Sequence, residues 1–254
     1  MATDSLVLVP GILCDEAVWR PQFATLQGAA DIRIAQHGMA DTLGAMAEAI
    51  LDTAAPRFAL AGHSMGGRVA LEVYARAPER VTRLALLDTG YEALPAGEAG
   101  ELERQGRLRL LGIAERDGMR AMAQDWSRGM VHPRRLTDVA LMNEIFDMIS
   151  RATPAQYAAQ IRALLARPDR SDLLARIDVP TLVLCGHEDG WSPIARHRQL
   201  AAQIAGSRLV DIPDCGHMST LEQPLEVAQA LRAWLGGPAT LHKAPVNPTA
   251  RGFP

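Results

Sequence analysis

Phe58-Ala59-Leu60-Ala61-Gly62-His63-Ser64-Met65-Gly66-Gly67 runs from a short apolar segment through an abrupt glycine-bracketed turn into a helical pattern over Arg68–Ala77. Gly62 to Gly66 has the form G-x-S-x-G, and a strand before it and a helix after it are the context in which that motif carries chemistry. A turn this tight strains the backbone at Ser64, and a side chain at Gly62 or Gly66 would crowd neighbouring main chain. Ser64 is thereby lifted to the head of a helix. There the helix N-terminus and the Met65 N–H face the charge that develops on a carbonyl oxygen. A plain glycine-rich strand–helix turn is the alternative. A phosphate cradle fits less well, because neither GxxxxGK[ST] nor a full GxGxxG is present.

Outward from this turn the same alternation repeats. Upstream, Leu6–Pro10 and Ala30–Ala35 read as strands and Leu43–Ala54 as a helix. Downstream, Pro78 closes the helix that follows Ser64, because proline disfavours helical geometry in the residue before it. Val81–Leu87 is then a strand. The pattern resumes late, with strands at Thr181–Cys185 and Arg208–Ile212 and helices at Ile194–Ile204 and Glu222–Leu235. Short strands alternating with helices predict an α/β fold, a mostly parallel central sheet with helices on both faces. Between Asp88 and Asp178 the pattern is helical, with turn signals at Pro95–Gly100, Gly129–Pro133 and Pro168–Asp169. A segment of that length is implausible as plain connection. It is expected to be a helical cap insertion, 88–178, over the C-terminal strand ends, with 1–87 and 179–236 forming the core. The stretch 237–254, rich in proline, is expected to be a loose tail.

Composition bounds the function classes. With 254 residues, 48% hydrophobic and 22% charged, the chain has ample material for a core and is not disordered throughout. Lys plus Arg is 26 and Asp plus Glu is 29, a formal charge of −3, which gives no basic footprint for nucleic acid. Aromatics are only 4%, a poor basis for a binding module built on stacking platforms. Cys14, Cys185 and Cys215 form neither a disulfide framework nor a CxxC metal knuckle. The N-terminal MATDSLVLVPG reads as a strand rather than a leader, and no apolar run approaches the roughly 18 residues of a membrane span. The expectation is a cytoplasmic enzyme acting on a small molecule, with no metal, no cofactor, no nucleic-acid partner and no membrane insertion.

A serine hydroxyl needs a general base. Of the seven histidines, His217 lies in Asp214-Cys215-Gly216-His217-Met218, a loop between the last strand and the last helix, from which a side chain can reach Ser64 across a parallel sheet. His63, next to the serine, should diverge from it and serve packing; His187 is a weaker base candidate. The imidazole in turn needs a buried carboxylate. Asp189, in the turn after Thr181–Cys185, fits best, with Glu188 and Asp88 as rivals. Asp211 and Asp214 read as solvated or turn-forming. For the second oxyanion donor the loop Pro10-Gly11-Ile12-Leu13-Cys14 offers the Ile12 N–H. Cys14 reads as a small buried hydrophobe rather than a nucleophile. Pocket candidates are Leu13, Trp126, Trp191 and Met218.

The motifs LVLVPG, GHSMGG, LCGHEDGWSP and PDCGHMS, in that order over roughly Leu6 to Leu235, resemble those of the α/β-hydrolase superfamily, in particular its capped, esterase-like members. The resemblance implies Ser64 as nucleophile, Asp189 as acid, His217 as base, the Ile12 and Met65 amides as the oxyanion hole, and a cap within 88–178. Pro10 stands where such members often carry the histidine of an HG pair. The pattern lacks the usual first two antiparallel strands, so the sheet is expected to begin at the third.

The implied reaction is acyl transfer to Ser64 followed by hydrolysis, with a small carboxylic ester or lactone as substrate. Alternatives on the same scaffold are C–C bond, amide or carbamate hydrolysis and haloperoxidase-type perhydrolysis, since fold does not choose among them. A non-catalytic ligand-binding protein is the remote alternative. Arg104, Arg107, Arg109, Arg116 and Arg120 form a basic stretch that reads either as a solvated helix face or as an attractor of a carboxylate-bearing substrate.

Overall fold

The structure, a computed structural model, describes residues 4–237; the expected loose tail, beyond Gly237, lies outside the described residues. Six strands form one sheet: β1 (Asp4–Val9), β2 (Ala30–Ile34), β3 (Phe58–His63), β4 (Val81–Leu87), β5 (Thr181–Gly186) and β6 (Arg208–Ile212). Their order is β2-β1-β3-β4-β5-β6, and every pairing is parallel. Central strands β3 and β5 are buried along their whole length, as continuous apolar runs require when both faces are covered. The edge strand β2 instead alternates, only Ala30 being fully buried, which is why ADIRI reads as alternating.

The helices are α1 (Arg20–Leu26), α2 (Leu43–Thr53), α3 (Met65–Arg76), α4 (Glu98–Asp117), α5 (Met119–Trp126), α6 (Val139–Ser150), α7 (Pro154–Leu165), α8 (Ser171–Leu174), α9 (Ile194–Gln203), α10 (Ser219–Glu222) and α11 (Pro224–Gly236). Right-handed crossovers fix their sides. From β1 the chain steps one way to β2; from β2 onward it steps the other way through β3, β4, β5 and β6. The helix of the first crossover, α1, therefore lies on one face, and α2, α3 and α9 lie on the other. Packing agrees: α1 meets α11, and α2 meets α3. The reversal falls between β1 and β3, and α/β sheets open their ligand crevice at such a switch point, beyond the carboxyl ends of the strands.

Between β4 and β5 the described elements are α4 to α8 and short 3-10 turns, with no strand. Here α4 packs on α5 and α7, and α5 on α6. Helix starts carry the expected oxygens: Asp138 accepts from Leu141 N at 3.1 Å, and Thr153 forms a reciprocal capping pair with Gln156. Two local differences from the sequence pattern have simple causes. The last helix does not run unbroken from Glu222, because Pro224 lacks an N–H and starts a new helix, leaving Gln223 non-helical between α10 and α11. Helix α1 is only 7 residues long and too short to show a periodic pattern.

Candidate active site

Gly62 and Gly66 make the turn at Ser64 physically feasible. A Cβ on Gly62 would lie 2.2 Å from the Gly66 carbonyl oxygen, and one on Gly66 would lie 2.1 Å from the Val9 carbonyl oxygen. The helix head can therefore sit against β1 only because both side chains are absent. Ser64 itself takes φ 56°, ψ −119°, a conformation that side-chain-bearing residues rarely adopt. Thr89 holds it there: its hydroxyl donates to Ser64 O at 2.7 Å, and its own N–H donates to His197 Nε2 at 2.9 Å.

The loop after β6 brings His217 to the serine. His217 Nε2 is 2.8 Å from Ser64 Oγ, and Nδ1 is 2.7 Å from Asp189 Oδ2. A carboxylate only accepts, so Nδ1 carries the hydrogen and Nε2 is left to accept from the serine hydroxyl. Asp189 Oδ1 is held by the N–H groups of Trp191 and Ser192, both at 2.8 Å. Burial raises the Asp189 pKa, but the His217 charge, its hydrogen bond and the two backbone donors outweigh it and hold the carboxyl below its ordinary 3.8. Burial likewise opposes charge on His217; the Asp189 carboxylate outweighs it, so the imidazole titrates above its ordinary 6.5.

The Met65 N–H sits in the first turn of α3, where no intrahelical acceptor exists. The Ile12 N–H has no partner among the described residues, and its neighbour Leu13 N–H is fixed by Gln160 Oε1 at 2.8 Å. Ile12, Ser64, Met65 and His217 all line one cavity of about 870 Å³, which also takes in Leu94, Pro95, Leu102, Leu110 and Leu164 from the segment between β4 and β5. That volume suits a small-molecule ligand. Pro10, standing where a histidine was expected from the family pattern, keeps its carbonyl in use: His37 Nε2–H donates to it at 2.9 Å.

The family model for alpha/beta hydrolases matches residues 6–230. The chain belongs to the alpha/beta hydrolase family. It is a hydrolase, similar along most of its length to enzymes of that kind. It is 26% identical over 246 residues to an (E)-2-((N-methylformamido)methylene)succinate hydrolase of Acinetobacter baylyi, covering 91% of this chain and 90% of that one. It is 27% identical over 226 residues to a pimeloyl-(acyl-carrier protein) methyl ester esterase of Neisseria meningitidis serogroup C, covering 87% and 85%. A thermophilic esterase from Thermogutta terrifontis, solved with malate bound, superposes with a TM-score of 0.81 at 28% identity, covering 92% and 90%.

In this hydrolase the rival residues have other partners. His187 is paired with Asp211 at 2.9 Å and half exposed. Glu188 braces the histidine loop by accepting from Cys215 N at 3.0 Å. His63 donates from Nε2 to His217 O at 2.8 Å; burial first, then the neighbouring imidazole, push its pKa to about 4, so it stays neutral. Asp88 accepts from Gly186 N at 2.9 Å and from the Ser219 hydroxyl and makes no hydrogen bond to His217. Burial and the nearby Asp189 charge push its pKa well above 3.8. Burial raises the Cys14 thiol to about 12, which makes it inert as a nucleophile. Asp214 pairs with Arg134 at the surface.

Three pocket expectations are corrected. Leu13, Trp126 and Met218 are buried in the hydrophobic core and do not line the cavity. Leu13 is held at φ 59° by its Gln160 bond, and Trp126 packs edge-on behind Trp191 at 5.6 Å. Trp191 is on the wall, 6.0 Å from the His217 ring. Of the basic stretch on α4 and α5, Arg104, Arg116 and Arg120 pair with Glu101, Asp117 and Asp147 away from the cavity. Arg107 and Arg109 line it but are matched by Glu103 and Asp125.

Asp88, Cys185 and Asp189 bring three potential metal-binding atoms within 4.8 Å of one another. Their chemistry does not suit an ion: Asp189 is committed to His217 and two amides, and burial keeps the Cys185 thiol protonated. Sequence reading missed Glu222. Buried on α10, it accepts from His132 N at 2.8 Å, Gly216 N at 3.1 Å and Met218 N at 3.0 Å, caging the backbone on both sides of His217. The His217 N–H itself donates to Met130 O at 2.6 Å.

Proposed function

We propose that the protein is a serine hydrolase that cleaves small carboxylic esters or lactones through an acyl-enzyme. The observation that carries this is the unbroken hydrogen-bonded chain from Asp189 through His217 to Ser64, at 2.7 and 2.8 Å, opening on a cavity of about 870 Å³. In the first step His217 Nε2 takes the Ser64 proton as Oγ attacks the carbonyl carbon. The oxyanion accepts hydrogen bonds from the Ile12 and Met65 amides. His217 then returns the proton to the leaving oxygen. In the second step it takes a proton from water, which cleaves the acyl-enzyme and regenerates Ser64. Asp189 keeps the ring in the working tautomer throughout. Residues 88–178 act as a cap on a core of 1–87 and 179–236, and the cap's leucines set the aliphatic shape that a substrate must match.

The deciding experiment is a rate panel of short-chain esters and lactones against amides, carbamates and C–C bond substrates, with Ser64→Ala as control. Esters or lactones should be turned over fastest, and Ser64→Ala should lose about 10³-fold or more while keeping its circular dichroism and Tm. Full esterase activity in Ser64→Ala would refute the assignment.

A further inference from the structure

The cavity wall carries more positive charge than its acids use. Arg68, Arg107, Arg109, Arg167 and Arg196 line it, against the carboxyl groups of Asp88, Glu92, Glu103 and Asp169. Burial, and then the nearby Asp189 charge, push the Asp88 carboxyl well above its ordinary 3.8, which weakens its hold on the arginines. Arg167 is matched by both oxygens of Glu103, at 2.7 and 2.8 Å, and Arg107 shares that carboxylate. Arg109 has Asp125 at 2.7 Å. Arg196 reaches Glu92 only at 3.7 Å. Among the described residues Arg68 has no carboxylate within ion-pair distance, and it feels Glu103 only through space. Its one hydrogen bond among the described residues is from Nη1 to the Glu92 carbonyl at 2.8 Å, which uses one of the five N–H groups of its guanidinium.

The position of Arg68 gives that imbalance a meaning. It lies on α3 four residues after Ser64, about 6 Å further along the helix axis, and both residues line the cavity. The Gly90 backbone lies between Arg68 and Arg196: a Cβ there would come within 2.7 Å of Arg68 Nη2 and 3.2 Å of Arg196 Cδ. Asp169 is close enough to feel the Arg68 charge, but it is solvent-exposed, accepts from the Ser171 amide at 2.8 Å and from the Ala93 amide at 3.5 Å, and forms no ion pair with Arg68 among the described residues. Burial, then the like charges of Arg167 and Arg196, push the Arg68 pKa down to about 9. Arginine remains protonated at neutral pH, so such a site gains from an added anion.

We propose that Arg68, flanked by Arg196, is a substrate carboxylate subsite, so that preferred substrates are short esters or lactones bearing a free carboxylate one helical turn from the scissile carbonyl. This rests on the hydrolytic reading above and adds the substrate's charge to it. The planar fork of Arg68 suits a two-oxygen contact with a carboxylate.

The test compares monomethyl glutarate with dimethyl glutarate on the full chain, following methanol release. Each scissile bond is the same methyl ester; the diester carries two of them, so its rate is halved for the comparison, and the remaining difference is a carboxylate against a neutral methyl ester. The wild type should favour the monoester by about tenfold or more in kcat/KM, and 0.5 M NaCl should narrow the margin. Arg68→Gln should cut the monoester-to-diester ratio by about tenfold, through KM, and Arg68→Lys should restore part of it. Equal wild-type rates, a preference for the diester, or an equal fall for both substrates in Arg68→Gln would overturn the subsite. If neither ester is cleaved and a fluorophosphonate leaves Ser64 unlabelled, the hydrolytic reading fails. The subsite is then decided by calorimetry with glutarate: binding to wild type that Arg68→Gln abolishes supports it, and no binding overturns it.

Discussion

Two carboxyl groups end adjacent strands of the sheet, Asp88 after β4 and Asp189 just beyond β5, and both are almost wholly buried. Burial alone would neutralise both. Asp189 instead faces an imidazole and two amide donors and stays ionised, while Asp88 receives one amide and one hydroxyl and is pushed towards protonation, in part by its charged neighbour. Donor count and a cationizable partner set the direction at each carboxyl, and the charge on one opposes ionisation of the other. This difference sets the proposed catalytic acid apart from Asp88 at equal depth.

The comparison breaks most visibly at Asp189. Asp189→Asn should lower kcat by about 10³- to 10⁴-fold with the fold intact, because the amide favours the wrong imidazole tautomer. Steady-state kinetics beside circular dichroism would show it; a tenfold loss or less would mean that Asp189 is not the partner that matters.

Glu222→Ala is expected to cost less in rate and more in stability. Three backbone donors lose their acceptor, so Tm should fall by about 5–10 °C and kcat by about 10- to 100-fold as His217 loses its placement. Calorimetry with wild-type behaviour would sink the caging role.

A pH profile sharpens the contrast further. The reaction needs neutral His217, whose pKa in the folded protein is raised, so kcat/KM should rise with pH along an acid limb centred above 6.5. In the residual activity of Asp189→Asn the raising charge is gone and burial remains, so the limb should move down. An unmoved limb would contradict the pairing.

Asp88→Asn should have the smallest effect, within about threefold in kcat/KM, since burial and Asp189 already oppose a charge there and a carboxamide of similar shape carries none. If it matched Asp189→Asn in severity, the protonation states would have been assigned the wrong way round.

The fold and the inner site were legible because their signals are local. The glycines around Ser64, the apolar strands and the loop of His217 each announce themselves within a few residues. Glu222, Gln160 and Arg68 do not. Gln160 meets Leu13 across 147 residues, and no pattern near either residue marks the contact. Arg68 looks like any helix arginine until the loop after β4 places Gly90, and α9 places Arg196, beside it. Of the two pocket aromatics, Trp191 lines the cavity, while Trp126 is apolar enough to do so but has its ring spent on packing behind Trp191.

The most direct test of the central claim is mass spectrometry of the protein after treatment with a fluorophosphonate. One adduct, on Ser64, lost in Ser64→Ala and formed more slowly in Asp189→Asn, is the predicted result. No adduct, or an adduct elsewhere whose rate ignores both substitutions, would contradict it.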